Sequence, residues 1–188
     1  MAGEGRWFLH NKECTLLVVD MQERLLAAMR EDDAAQTVKN TGILIDAANA
    51  FGIPIIASEQ YRKGLGPTVP PLAERLNGAP ILEKLHFSCM RDDGIANAVR
   101  GTGRRVFILA GIETHVCVFQ TSLDMVSAGY SVVVASDAVC SRREHDKDYA
   151  LRALDRAGAL VYPTETICFM LMERAGTEVF RKLAPLFK

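Results

Sequence analysis

Short apolar runs rich in β-branched residues alternate along the chain with longer segments whose apolar positions recur at helical spacing. Uninterrupted apolar runs suit strands of a parallel sheet, which is covered on both faces and so shows no polar alternation. The pattern predicts strands over residues 15–19, 53–57, 105–110, 131–135 and 159–162, with a sixth near 81–83. Between them, residues 34–51 place Val38, Ile45 and Ala48 on one helical face and stop at Gly52, ahead of Pro54. Residues 114–128, 146–157 and 164–175 also read as helices, closed by Gly129, Gly158 and Gly176 where the chain must turn back. Residues 61–71, broken by glycines and prolines, read as a loop followed by a turn, and loops of this length often carry function.

Strand, helix, strand in alternation predicts an α/β fold: a three-layer α/β/α sandwich around a mainly parallel sheet of about six strands, with right-handed crossovers. No repeat, low-complexity tract or linker offers a boundary, so residues 1–188 read as a single domain. That length buries a full core without staples.

Composition narrows the partners. Lys and Arg number 22 against 23 Asp and Glu, which gives no basic surplus to recruit nucleic acid or an anionic membrane. Cys14, Cys89, Cys117, Cys140 and Cys168 are unevenly spaced, suggesting neither a disulfide framework nor a zinc knuckle, and so reduced thiols. No run is long enough to span a bilayer. Residues 1–13 lack a signal core, so the expected location is cytoplasmic, with a mitochondrial one left open.

In a parallel sheet, ligands bind beyond the carboxyl ends of the strands, which directs attention to polar residues that follow apolar runs. Asp20 ends Leu16-Leu17-Val18-Val19, where it could serve as a base or cap the next helix. Cys117 falls in the first helical turn after an apolar strand, where free backbone N–H groups and the helix dipole favour a thiolate. A cysteine beside valines is equally readable as a small core residue. Lys84 follows Ile81-Leu82, either as a charge partner for the other two or as a solvated surface lysine.

Taken together, these contexts resemble the isochorismatase-like cysteine hydrolases, a family that includes nicotinamidases and N-carbamoylsarcosine amidase. The resemblance rests on Leu17-Val18-Val19-Asp20-Met21-Gln22, Lys84 with Phe87-Ser88, Gly111-Ile112-Glu113-Thr114-His115-Val116-Cys117-Val118, Asp137-Ala138-Val139 with Ser141-Arg142, and Thr164-Glu165-Thr166. It implies an isochorismatase-like, Rossmann-like topology with Asp20 as general base, Lys84 as electrostatic partner and Cys117 as nucleophile. It also implies a cis peptide before Glu113, an oxyanion hole from the amides of Glu113 and Cys117, and assembly as a homo-oligomer. Gln22, Tyr61 and Phe87 become candidate substrate contacts.

Nicotinamidases hold a metal on an aspartate and histidines after the second strand, whereas Ser58-Glu59-Gln60-Tyr61-Arg62-Lys63 contains no histidine. No metal or other cofactor is expected, in the manner of a metal-free subgroup. Cys117 itself departs from the isochorismate-cleaving branch, which works without this thiol. The expected activity is hydrolysis of an amide-type C–N bond in a small molecule; the alternative is an idle homo-oligomeric scaffold that keeps the fold. His115, two residues before Cys117, projects from another helix face and reads as structural or as a subunit contact.

Overall fold

A computed structural model describes residues 8–187; the N-terminal stretch considered for targeting lies partly outside them. Six strands form one all-parallel sheet: β1 (Cys14–Val19), β2 (Ile55–Gln60), β3 (Ile81–Lys84), β4 (Val106–Ile112), β5 (Ser131–Cys140) and β6 (Leu160–Tyr162). Their order is β3-β2-β1-β4-β5-β6, the doubly wound arrangement in which connections run outward in both directions from β1 and β4. The α/β sandwich expected from the sequence is therefore present.

Alternate residues of each strand serve opposite faces. Leu16 and Val18 of β1, with Ile108 and Ala110 of β4, join the core under α2 (Glu31–Phe51), α8 (Thr164–Met172) and α9 (Glu178–Leu183). Leu17 and Val19, with Phe107 and Leu109, join the second core under α5 (Asp93–Gly101), α6 (Phe119–Ser127) and α7 (Glu144–Arg156). Every residue of β1 is buried, as a central strand requires. Among the described residues no helix is long and apolar enough to cross a membrane.

Several boundaries differ from the sequence expectation, each for a tertiary reason. Strand β2 runs on through Ser58, Glu59 and Gln60, which pair with Leu82, Glu83 and Lys84 of β3; the polar stretch taken as a loop is sheet. Strand β5 continues past Ala135 because the register with β4 shifts, bringing Val139 opposite Gly111 and Cys140 opposite Ile112. The 61–71 segment contains two single turns, α3 (Arg62–Leu65) and α4 (Pro70–Ala73), and a one-turn α1 (Glu23–Leu26) faces it. Helix α5 escaped the periodicity reading, yet it buries Ile95, Ala96 and Val99.

At Gly111 the pairing of the two central strands leaves no room for a side chain. The glycine pairs with Val19, has φ of 126°, and a Cβ built there would stand 2.0 Å from the Val19 carbonyl oxygen. Only glycine lets β4 approach the end of β1 in this way. Gly111→Ala should therefore destabilise the fold by about 3 kcal/mol or more in urea titration, since backbone must move. Gly94→Ala in α5, where an added Cβ meets nothing within 4 Å, should stabilise by up to about 1 kcal/mol. Equal midpoints for the two variants would refute this assignment.

Candidate active site

Because the connections diverge between β1 and β4, a crevice opens beyond their carboxyl ends, and the residues following both strands meet there. Asp20 follows β1 directly with a left-handed φ of 51°, and its backbone N–H still donates to Ser58 O at 3.0 Å, extending the β2 pairing by one residue. Its carboxylate does not cap a helix. Oδ2 accepts from Lys84 Nζ at 2.7 Å, and Oδ1 accepts from Ser58 Oγ at 2.7 Å.

Lys84 is not a surface lysine: it is the last residue of β3 and 1% exposed. Besides Asp20, its ammonium donates to Gln60 Oε1 at 2.7 Å, Phe87 O at 3.2 Å and His86 O at 3.3 Å. A buried charge is stable only when paired and hydrogen-bonded in this manner. Burial alone would make the ammonium easier to deprotonate, but the charge of Asp20 and its hydrogen bond oppose this, and the proton is held more tightly than usual.

Cys117 lies in a wide turn, Thr114–Val118, that precedes α6; the amides of Val116 and Val118 both donate to Glu113 O, at 3.1 and 3.2 Å. Cys117 is 6% exposed, and its thiol interacts with the Asp20 carboxylate. The pull of the helix start towards a thiolate is opposed here. Burial, then the Asp20 charge, push the thiol well above its ordinary value, and Lys84 only partly opposes them. The arrangement is a neutral thiol on a carboxylate, so a proton can pass from sulfur to Asp20 as the sulfur attacks, with no free thiolate beforehand.

Glu113 follows a cis peptide with Ile112, and its side chain accepts from Arg142 Nε at 3.1 Å. His115 turns away from Cys117, with Nδ1 2.9 Å from Ser141 Oγ. Thr114 Oγ1 is buried without a hydrogen-bond partner.

The three side chains considered as substrate contacts fare differently. Gln22 is buried and its amide is consumed internally: Nε2 donates to Gly66 O at 2.6 Å and Gln60 O at 3.0 Å, and Oε1 accepts from Gln60 N at 2.7 Å. It braces the 61–70 segment, with both amide atoms already engaged by backbone groups. Tyr61 and Phe87 are 50% and 53% exposed, on the segments that follow β2 and β3. Both flank Lys84 through backbone contacts, Tyr61 N donating to Lys84 O at 3.0 Å while Phe87 O accepts from the ammonium.

Glu59, in the stretch that lacks the metal-binding histidines, is buried and accepts from Thr68 N at 2.6 Å and Thr68 Oγ1 at 2.8 Å, with Arg62 Nε at 3.4 Å. Among the described residues no three His, Cys, Asp or Glu side chains are grouped to hold a metal ion. Ser58 and Gln60, which touch Asp20 and Lys84, were given no role from the sequence. Had β2 been extended by three residues, their position at a strand's carboxyl end would have marked them.

Residues 14–166 match the Isochorismatase domain family. Isochorismatase domain-containing protein 2 of Danio rerio is 34% identical over 187 residues, covering 99% of this chain and 91% of that protein. The MAR1 ribonuclease of Caenorhabditis elegans superimposes with a TM-score of 0.88 at 34% identity, covering 95% of this chain and 91% of that one. The YcaC protein of Escherichia coli, described as an octameric hydrolase of unknown specificity, gives 0.89 at 26% identity over 98% of this chain and 91% of its own.

The buried thiols make stability pH-dependent. Burial first of all pushes Cys14, Cys89 and Cys168 from an ordinary 9.0 up to about 12, about 11 and about 12. The unfolded chain loses these protons from about pH 9 while the folded chain keeps them, so this stability is complete below that pH and declines as pH rises. Lys84, also raised, acts with the same sign at higher pH. The urea midpoint should hold steady to about pH 8.5, then fall towards pH 11, by up to about 1.4 kcal/mol per pH unit for each thiol. A midpoint that stays level across that window would contradict the burial of these thiols.

Proposed function

The chain belongs to the isochorismatase family, and we propose that it is a cysteine-dependent hydrolase cleaving an amide-type C–N bond of a small molecule through a thioester. One observation carries the proposal: a single buried carboxylate, Asp20, bonds to the Lys84 ammonium and acts electrostatically on the buried Cys117 thiol at the switch point of the sheet.

Attack begins as Asp20 takes the Cys117 proton and sulfur bonds to the substrate carbonyl carbon. The carbonyl oxygen, now negative, is received by the amides of Glu113 and Cys117. As the intermediate collapses, the C–N bond breaks and Asp20 passes its proton to the departing amine. A water then attacks the thioester while Asp20 accepts its proton; the acid is released and sulfur recovers the proton. Lys84 remains a cation throughout, since four acceptors hold it. No metal or cofactor enters these steps.

Tyr61 and Phe87 offer the exposed aromatic surface nearest this group of residues and form the rim that meets substrate. The protein works as a homo-oligomer in the cytoplasm, as the octameric relative suggests for the assembly. The C. elegans relative's name raises RNA as a second substrate class. A net charge of -1, and a site cation already neutralised by Asp20, favour a small uncharged substrate instead.

The test is turnover of a panel of small primary amides, N-carbamoyl compounds and single-stranded RNA by wild type and Cys117→Ala. Hydrolysis of an amide, a mass adduct on Cys117 under acid quench, and a loss of at least about a thousandfold in Cys117→Ala are expected. Turnover that survives in Cys117→Ala sinks the thioester route, and cleavage confined to RNA replaces the substrate class.

A further inference from the structure

On the second oxygen of Asp20, the one Lys84 does not hold, a hydroxyl and then a second thiol follow. Ser58 Oγ donates to Asp20 Oδ1 at 2.7 Å, and the Cys89 thiol donates to Ser58 Oγ at 3.6 Å. Cys89 N donates in turn to Thr121 Oγ1 at 2.9 Å. Thr121 sits one turn beyond Cys117, so the chain of contacts returns to the segment that carries the thiol facing Asp20. All of these side chains are buried.

A serine hydroxyl has one proton and rotates to suit its neighbours. With only a carboxylate beside it, it donates; with the carboxyl protonated, it could as readily accept. A donor placed on the oxygen occupies one of its two lone pairs and favours the rotamer that points the O–H towards Asp20. A thiol sealed in an apolar core keeps its proton and serves as that donor.

We infer that Ser58 is a positioning residue for the Asp20 base, and that Cys89 fixes the direction of the Ser58 hydroxyl as a standing donor instead of acting as a second nucleophile. This rests on the reading of Asp20 as the base for Cys117. Lys84 on Oδ2 and Ser58 on Oδ1 then hold the carboxylate plane from both sides and leave it one orientation towards the thiol.

The experiment uses the full chain and follows iodoacetamide alkylation of each cysteine against pH by peptide mass spectrometry, in wild type, Ser58→Ala, Ser58→Thr, Cys89→Ala and Cys89→Ser. A donor to an ionised carboxylate favours the ionised form. Losing it in Ser58→Ala should move the acid limb of the Cys117 profile up by about one pH unit and lower the plateau rate several-fold. Cys89→Ala should move the limb the same way by a smaller step. Ser58→Thr and Cys89→Ser retain a donor and should restore the wild-type limb, which a loss of packing alone would not produce.

Should Ser58→Ala fail to fold, the two Cys89 variants decide on the same criterion. If the alanine variants overlay a wild-type Cys117 that reacts faster than Cys14 and Cys168, the positioning role is overturned and the hydrolase reading stands. A wild-type Cys117 no faster than those core thiols overturns both.

Discussion

A lysine ammonium with almost no exposure must meet a counter-charge and acceptors for its protons, or the fold pays several kcal/mol to keep it there. Lys84 imposes that demand, and the structure around it is arranged as the answer. Asp20 supplies the charge, Gln60 an amide oxygen, and the backbone after β3 turns two carbonyls inward. Because these groups come from β1, β2 and the end of β3, satisfying one side chain aligns three strand ends. The site is in this sense a by-product of solving an electrostatic problem.

The same neutralisation governs the chemistry available. A carboxylate already tied to an ammonium and a hydroxyl is held in one plane, and the thiol beside it is kept protonated by burial and by the negative charge. Such a group suits proton transfer coupled to attack, where the charge moves from carboxylate to developing oxyanion without separated ions in a dry pocket. A conventional low-pKa cysteine would stand as an exposed thiolate, open to oxidation.

Close approach of backbone is the second condition. Gly111 lets β4 lie against the end of β1 without a side chain striking Val19, and the register shift between β4 and β5 falls at the same place. The neighbouring 61–70 segment is held from beneath by Gln22 and Glu59, whose polar atoms are spent on its backbone and on Thr68. These two side chains thus act as struts, while the rings of Tyr61 and Phe87 stay exposed.

The alternation of apolar runs with helical segments was enough to establish an α/β sandwich of six strands, because burial on both faces leaves a local, repetitive mark. The positions of Asp20, Lys84 and Cys117 at strand ends were legible for the same reason. What the linear pattern does not carry is pairing between distant segments. Ser58 to Gln60 looked like loop because the polar residues of β2 are stabilised by partners distant in the chain, among them the β3 edge, Asp20 and Lys84, and the continuation of β5 goes with the register shift against β4. The protonation of Cys117 was likewise decided by tertiary structure: a helix start favours a thiolate locally, but burial against a carboxylate that lies far away in the chain reverses the sign.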